Sequence, residues 1–144
     1  MLWLHEYAAP VAQLSPQTVN STAKFSGVVD LARFAEVMFV FLLGDMANET
    51  IDLGLQQAIA ESGPFSAISH KQATQLAASE TANDNKMVVI TLKSEELLGN
   101  NRYVRAWAVT GNTTGGPVAI LALGRSRYGP SSDDASSAVV QIIV

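Results

Sequence analysis

The chain has no cysteine and only two histidines, His5 and His70, among its 144 residues. The first absence excludes disulfides, thiolate nucleophiles and cysteine-based metal sites. Neither histidine has an acidic or imidazole partner at a metal-ligand spacing, so no metal and no cofactor are expected. Charge is also scarce: Asp, Glu, Lys and Arg make up 15% of the chain, against roughly 25% in an average soluble domain. The net charge is -4, with nine Lys and Arg, which excludes the basic stripe that wrapping a phosphate backbone requires. No nucleic-acid partner is expected. Missing too is an apolar run of the roughly 18 residues that a membrane helix needs. The longest, Val37 to Leu43, has seven, so no membrane association is expected. Met1 to Glu6 has no basic segment before an apolar one and does not read as a secretory signal. The Asn-x-Thr triplets at Asn20, Asn48 and Asn112 are therefore read as chance.

Catalytic signatures are absent as well. There is no Gly-x-Ser-x-Gly elbow, since Gly124 to Gly129 has the wrong spacing, and no phosphate-cradling loop. Glu95-Glu96 and Asp133-Asp134 are adjacent pairs, whereas glycosidase chemistry needs two carboxyls fixed across a cleft. Asp45, Asn48, Glu49 and Asp52 could gather oxygens near one turn, but they match no calcium-loop spacing and read as a solvated turn. The expectation is a protein that is not an enzyme, with no catalytic, cofactor-binding or metal-binding residue.

Apolar residues, by contrast, are abundant: 48% of the chain, with a mean hydropathy of +0.19. Surplus apolar surface without a membrane span points to burial against other subunits. The dominant rhythm has period two. Ile51 to Gln56 alternates as a half-buried strand does. Tyr103 to Thr110 places Tyr103, Arg105, Trp107 and Val109 on one face and Val104, Ala106 and Ala108 on the other. Glu36 to Leu43, Lys86 to Lys93 and Val118 to Leu123 are further strands, rich in β-branched and aromatic residues. Gly44 to Asn48 and the glycine-rich Gly111 to Pro117 read as hairpin loops, and Glu61 to Pro64 as a turn. Ser69 to Thr81 contains helix formers without an apolar stripe and reads as a loop or a short helix. Ser94 to Gly99 reads as a short turn with a serine cap and a glycine stop. The fold class implied is all-β: an antiparallel β-sandwich of jelly-roll type with extended terminal arms.

The ends differ from the middle. Ser131 to Ser137 is linker-like in composition, and Val139 to Val144 is uncharged, free of proline and strongly β-forming, so it is expected to pair with an edge. Three parts follow: an N-terminal arm over 1–14, a sandwich over 15–130, and a linker with a C-terminal β arm over 131–144. The interface candidates are Leu2, Trp3, Leu4 and Tyr7 in the first arm, Val139, Val140, Ile142 and Ile143 in the last, and Arg105 with Trp107 on the sandwich, because Trp, Tyr and Arg dominate interface anchors.

Three segments together resemble a known family. They are Val28-Val29-Asp30-Leu31-Ala32-Arg33-Phe34, the strand pair around Gly44-Asp45-Met46-Ala47, and Asn101-Arg102-Tyr103-Val104-Arg105 running through Thr114-Gly115-Gly116 to Leu121-Ala122-Leu123-Gly124-Arg125. The set is similar to small β-rich head structural proteins of tailed bacteriophages, although Phe34 stands where tyrosine is commoner. The resemblance spans residues near 15 to 130. It implies a capsid cement or decoration protein on the outer surface of the virion, partnered by the major capsid protein and by itself as a homotrimer. A tail, connector or head-fibre component is an alternative with the same fold. A carbohydrate-binding β-sandwich, with Trp3, Trp107 or Tyr128 stacking on sugar, is another.

Overall fold

Among the described residues the alternating segments form nine strands in two antiparallel sheets. The structure is a computed structural model and describes residues 1–111 and 114–144. Asn112 and Thr113, part of the glycine-rich stretch and of one Asn-x-Thr triplet, lie outside the described residues. In chain order the strands are β1 (Ala9–Val19), β2 (Lys24–Phe25), β3 (Val29–Asp30), β4 (Phe34–Leu43), β5 (Ile51–Ala58), β6 (Ser66–Gln72), β7 (Met87–Lys93), β8 (Tyr103–Thr110) and β9 (Gly116–Ser126). A one-turn helix, α1 (Leu4–Tyr7), precedes them, and 3-10 turns lie at Ser94–Glu96 and Ser131–Asp134.

Sheet A has the order β1-β9-β4-β7; sheet B has β2-β8-β5-β6, with β3 also on β8. β2 and β3 lie end to end on one edge of β8, opposite Ala108 to Trp107 and Val104 to Tyr103. Ser26 closes the gap between them: its N–H donates to Ala106 O, and its hydroxyl accepts from Ala106 N–H. Taken as one interrupted strand, β2 and β3 leave eight strands in two sheets of four, connected as in a jelly roll. The expected fold class is therefore observed.

The inner faces make the core. Val37, Phe39 and Phe41 of β4, with Val118, Ile120 and Ala122 of β9, meet Leu53 and Leu55 of β5, Ile68 of β6, and Val104, Ala106 and Ala108 of β8; all are buried. The predicted two faces of Tyr103 to Thr110 are those of β8.

Four readings change. Gly44 to Asn48 and Gly111 to Pro117 are not hairpin loops, because β4 and β5, and again β8 and β9, lie in different sheets. Gly44 to Asn48 is a corner that carries the chain across the sandwich. Periodicity shows that a strand exists but not which strand it pairs with. Ser69 to Thr81 is not helical. β6 continues to Gln72, and the chain stays extended along β5, with Ala73 N–H donating to Leu53 O and with Leu76 and Ile51 exchanging both main-chain bonds. Pairing with the core strand outweighs the local preference for helix. The linker-like Ser131 to Ser137 is docked: Ser131 is buried, its hydroxyl donating to Tyr7 O and accepting from Ser126 N–H. Finally, the division at residue 14 falls inside β1, whose Ala12 and Leu14 are core residues.

Phe39 is fully buried, whereas Leu42 on the same strand is exposed. Phe39→Ala is expected to destabilise the fold by about 3–5 kcal/mol, and Leu42→Ser by less than about 1 kcal/mol, measured by chemical denaturation.

Candidate interaction surfaces

The outward face of sheet A follows from register. With Val37, Phe39 and Phe41 pointing in, Met38, Val40 and Leu42 must point out. Each sits in a cross-strand row. Met38 lies opposite Leu123 of β9 and Thr91 of β7, Val40 opposite Leu121 and Val89, and Leu42 opposite Ala119 and Met87. The next row is polar: Glu36 lies between Arg125 and Lys93, and Arg125 Nη2 is 3.4 Å from Glu36 Oε2. Leu42, Met87 and Val89 are 43%, 63% and 49% exposed. The solvated face of an antiparallel sheet is ordinarily polar, so this apolar one is a candidate contact surface. Sequence reasoning read these runs as strands and named none of these residues as interface. Their signal is the missing alternation: Val37 to Leu43 is apolar at every position, which a strand with one wet face is not.

The two termini meet at one end of the sandwich. Helix α1 packs on the 131–134 turn, and Ser136 N–H donates to Pro10 O at 2.7 Å. This brings the candidates Leu2, Trp3, Leu4 and Tyr7 onto the same end as the start of the C-terminal segment. None of the four is buried, and Val140, Ile142 and Ile143 are exposed, with Val139 half-buried against β1. Val139 to Val144 is not a strand within the single chain.

Arg105 and Trp107 lie on the outer face of sheet B, apart from the termini. The Arg105 guanidinium sits between two rings, 3.7 Å from the centroid of Phe25 and 4.0 Å from that of Phe65. Its Nε donates to Gln56 Oε1 at 2.9 Å, and burial pulls its pKa down from the ordinary arginine value. Trp107 Nε1–H donates to Gln72 Oε1 at 3.1 Å. Gln72 Nε2 in turn donates to Leu55 O and Ile68 O, closing a bulge in β6. Phe25, Phe65, Gln56 and Gln72, which sequence reasoning did not single out, complete this cluster. In it an arginine packs between aromatics, with Arg105 Nε and Trp107 Nε1 hydrogen-bonded to Gln56 and Gln72. Trp3, Trp107 and Tyr128 lie before α1, on β8 and beyond β9, not in one row of a sheet.

The carboxylates hold turns. Glu49 is not solvated but buried, and its Oε1 accepts from the N–H groups of Thr114 and Gly115. Asp45 Oδ1 accepts from Ala47 N–H, and Asp52 Oδ2 from Gln75 Nε2. Glu96 receives Lys93 N–H, and its Oε1 lies 2.9 Å from Lys71 Nζ and 3.6 Å from His70 Nε2. Asp134 pairs with Arg33 and accepts from the Ser126 hydroxyl at 2.7 Å. Among the described residues, no three His, Cys, Asp or Glu side chains gather as a metal site. Two of the segments that carry the family resemblance are paired with each other: Val29 lies opposite Val104 and Asp30 opposite Tyr103. Asp30 takes Arg102 on both oxygens at 2.7 Å and accepts Ala32 N–H on Oδ1.

No protein-family model and no curated protein matches the chain. Among solved structures it is similar to the CBM22-1–GH10 modules of Clostridium thermocellum endo-1,4-β-D-xylanase 10B complexed with xylohexaose, at 10% identity over 84% of this chain and 27% of that one, with a TM-score of 0.38. It is also similar to a structure of infectious bursal disease virus, Gt strain, at 14% identity over 85% of this chain and 38% of that one, with a TM-score of 0.24. The chain thus spans much less than two thirds of either. Likeness at this level carries no functional argument, and the fold stands on its own strand order.

The Arg102 hydrogen bonds hold the Asp30 carboxyl below the usual carboxylate range; burial opposes them and the Ala32 N–H adds to them. Glu96 is lowered by the Lys93 N–H and then by Lys71. Both groups bind protons more weakly folded than unfolded. Their stabilisation is complete above an unfolded pKa of about 4 and is lost as pH falls through the lower folded values. The melting midpoint is expected to be flat from neutral pH to about 5 and to fall below about 4. Asp30→Asn should lower it at neutral pH and make the acid fall shallower, measured by thermal melts across pH.

Proposed function

We propose that this chain is a structural virion protein that decorates a tailed-phage capsid and clamps neighbouring major capsid proteins from the outer surface. The observation that carries this reading is the apolar outward face of sheet A, built from Met38, Val40 and Leu42 with Leu121, Leu123, Met87 and Val89. A face of this kind is stable in water only when covered, and a second protein surface with an apolar patch covers it. The exposed terminal arms supply further contact at one end, in the manner of clamps that gain avidity from several weak attachments. A jelly roll is compatible with this role but is shared with lectin-type and other domains, so the fold alone does not select it.

A sugar-binding sandwich needs open ring faces. Arg105 stands over both Phe25 and Phe65, and Gln72 takes the Trp107 N–H. The outer face of sheet B therefore lends that reading no support.

The test is co-sedimentation with purified shells that lack the protein. The full chain is expected to sediment with them. Leu42→Lys and Leu123→Lys are expected to stay folded, with melting midpoints near that of the parent, and to bind at least about tenfold more weakly, a difference of about 1.4 kcal/mol. Unchanged binding by both folded variants would remove sheet A as the docking face. Absence of binding by the full chain would remove the cement role.

A further inference from the structure

Two sheets have four edges, and three of these are blunted. On sheet A, β1 carries Pro10 and Pro16 and shifts register twice. On sheet B, one edge is made of β2 and β3, two residues each, and the other is β6, which is bulged opposite β5. The fourth edge is β7, which pairs only with β4. It runs seven residues, Met87 to Lys93, in unbroken register and without proline. Natural sheets guard such an edge or use it.

The register tells which groups it offers. Leu43 N–H donates to Lys86 O, so the ladder to β4 uses residues 86, 88, 90 and 92, and the main chains of 87, 89, 91 and 93 face the open edge. Lys93 N–H is taken by Glu96 Oε2 at 2.8 Å. Met87, Val89 and Thr91 remain as donors for another strand. Beside them lies a groove of about 380 Å3, lined on one side by Val88 to Thr91 and on the other by His70 to Ala73 of the facing sheet edge.

A segment of matching chemistry exists in the same chain. Val139 to Val144 carries no charge, pairs with nothing as a strand and is exposed from Val140 onward. Alternate residues differ: Val140, Ile142 and Val144 are all apolar, while the other face is interrupted by Gln141. The chain cannot place this segment on its own β7. Ser136 is tied to Pro10, and Val139 lies in a small cavity with Gln13 and Leu121, at the β1 side of sheet A. Crossing four strand spacings to a position beyond β7 takes about 19 Å, nearly the whole reach of six extended residues, about 20 Å. None would be left to lie along the edge.

We propose that residues 140–144 of one copy add as a strand to the β7 edge of a second copy, with Val140, Ile142 and Val144 turned into the groove beside Val88 and Ile90. The strand carries no charge against an edge flanked by Lys86 and Lys93, and exposed Asp133 precedes it. On its outer side it places Ile143 near Val89, which extends the apolar face of sheet A across the junction. This is strand addition at a sheet edge, in which main-chain bonds supply affinity and alternate side chains supply fit. Donation from each copy to the next is head-to-tail and closes into a ring where the rotation allows. The proposal concerns the free protein and does not rest on the shell-binding reading.

The experiment measures mass by light scattering behind a sizing column for three proteins: the full chain, a chain ending at residue 138, and Val89→Pro. Proline at 89 removes an outward N–H and leaves the ladder to β4 intact. The full chain is expected as a multiple of 15.3 kDa, and each variant as a monomer. An equimolar mixture of the two variants is expected to form a species of twice 15.3 kDa, because one retains the edge and the other retains the strand. Amide exchange is the second measurement and holds even where Val89→Pro fails to fold. Val89 and Thr91 should be protected in the full chain and unprotected after truncation. A monomeric full chain at every concentration, or a truncated chain with unchanged mass and protection, would overturn the proposal.

Discussion

The structure depends on the position of β9 between β1 and β4. β9 is the last strand of the fold, yet it is central in sheet A and joins the first strand to the fourth. Its register on β4, with Ile120 opposite Phe41 and Ala122 opposite Phe39, decides which side chains of three strands enter the core. A slip of one residue would turn every one of them to the other face. Two glycines hold the fit. A Cβ at Gly124 would come within 2.8 Å of the Phe34 ring, and one at Gly116 within 2.9 Å of Met46. At the entry to the strand, Gly115 has φ +71°, and its N–H is held by the buried Glu49 carboxylate.

The same register makes the two outer faces unlike. On sheet B the outward residues satisfy one another: Arg105 between Phe25 and Phe65, Gln56 on Arg105, and Gln72 on both Trp107 and the backbone of a bulge. Arg105 takes one face of each of two rings there, while Phe25 keeps 38% of its surface exposed. On sheet A the outward rows through Val40 and Leu42 are apolar from β9 to β7, and the first polar pair, Arg125 with Glu36, lies beyond the Met38 row. This asymmetry is the observation on which the proposed docking through sheet A rests. Residues 136–139 lie against the β1 side of that sheet, near Gln13 and Leu121, and leave Leu42, Met87 and Val89 exposed.

Much of the fold is legible in the residues, and what is not has a physical reason. Alternation in Tyr103 to Thr110 predicts both faces of β8 correctly, because side-chain direction in a strand is local. Strand partners are not local. Gly44 to Asn48 and Gly111 to Pro117 have hairpin composition, but a corner between sheets needs the same freedom of φ, so sequence cannot tell them apart. Ser69 to Thr81 has helix formers, and the outcome was settled by main-chain bonds to Ile51 and Leu53, residues nearly two dozen positions away. The candidate interface was half visible. The terminal apolar residues, expected to pair with an edge, are exposed in the single chain, whereas Met38, Val40 and Leu42 hide in a run that reads simply as core until register divides it. Arg105 and Trp107, read as interface anchors, are half-buried and packed against Phe25, Phe65, Gln56 and Gln72.

Charge distribution carries the argument one step further. The chain has few basic residues, and most are engaged internally. Arg102 closes on Asp30, Arg33 on Asp134, Lys71 on Glu96 and Arg125 on Glu36. Arg105 is stacked between rings, and Arg127 donates to Leu31 O. These pairs lie mostly at turns and strand ends, where they fix the entry of one element into the next, so Arg102 and Asp30 join two segments 72 residues apart. Cations committed in this way are not arrayed to neutralise a phosphate chain. They leave the middle of sheet A free of charge, which is the condition for docking without desolvating ions, a cost that buried unpaired charges impose heavily. A surface with little charge and much aliphatic area selects its partner by shape and by exclusion of water, and such contacts become specific only when several are made at once. An apolar face, an open strand edge and two exposed termini on one small sandwich are the means of making several at once.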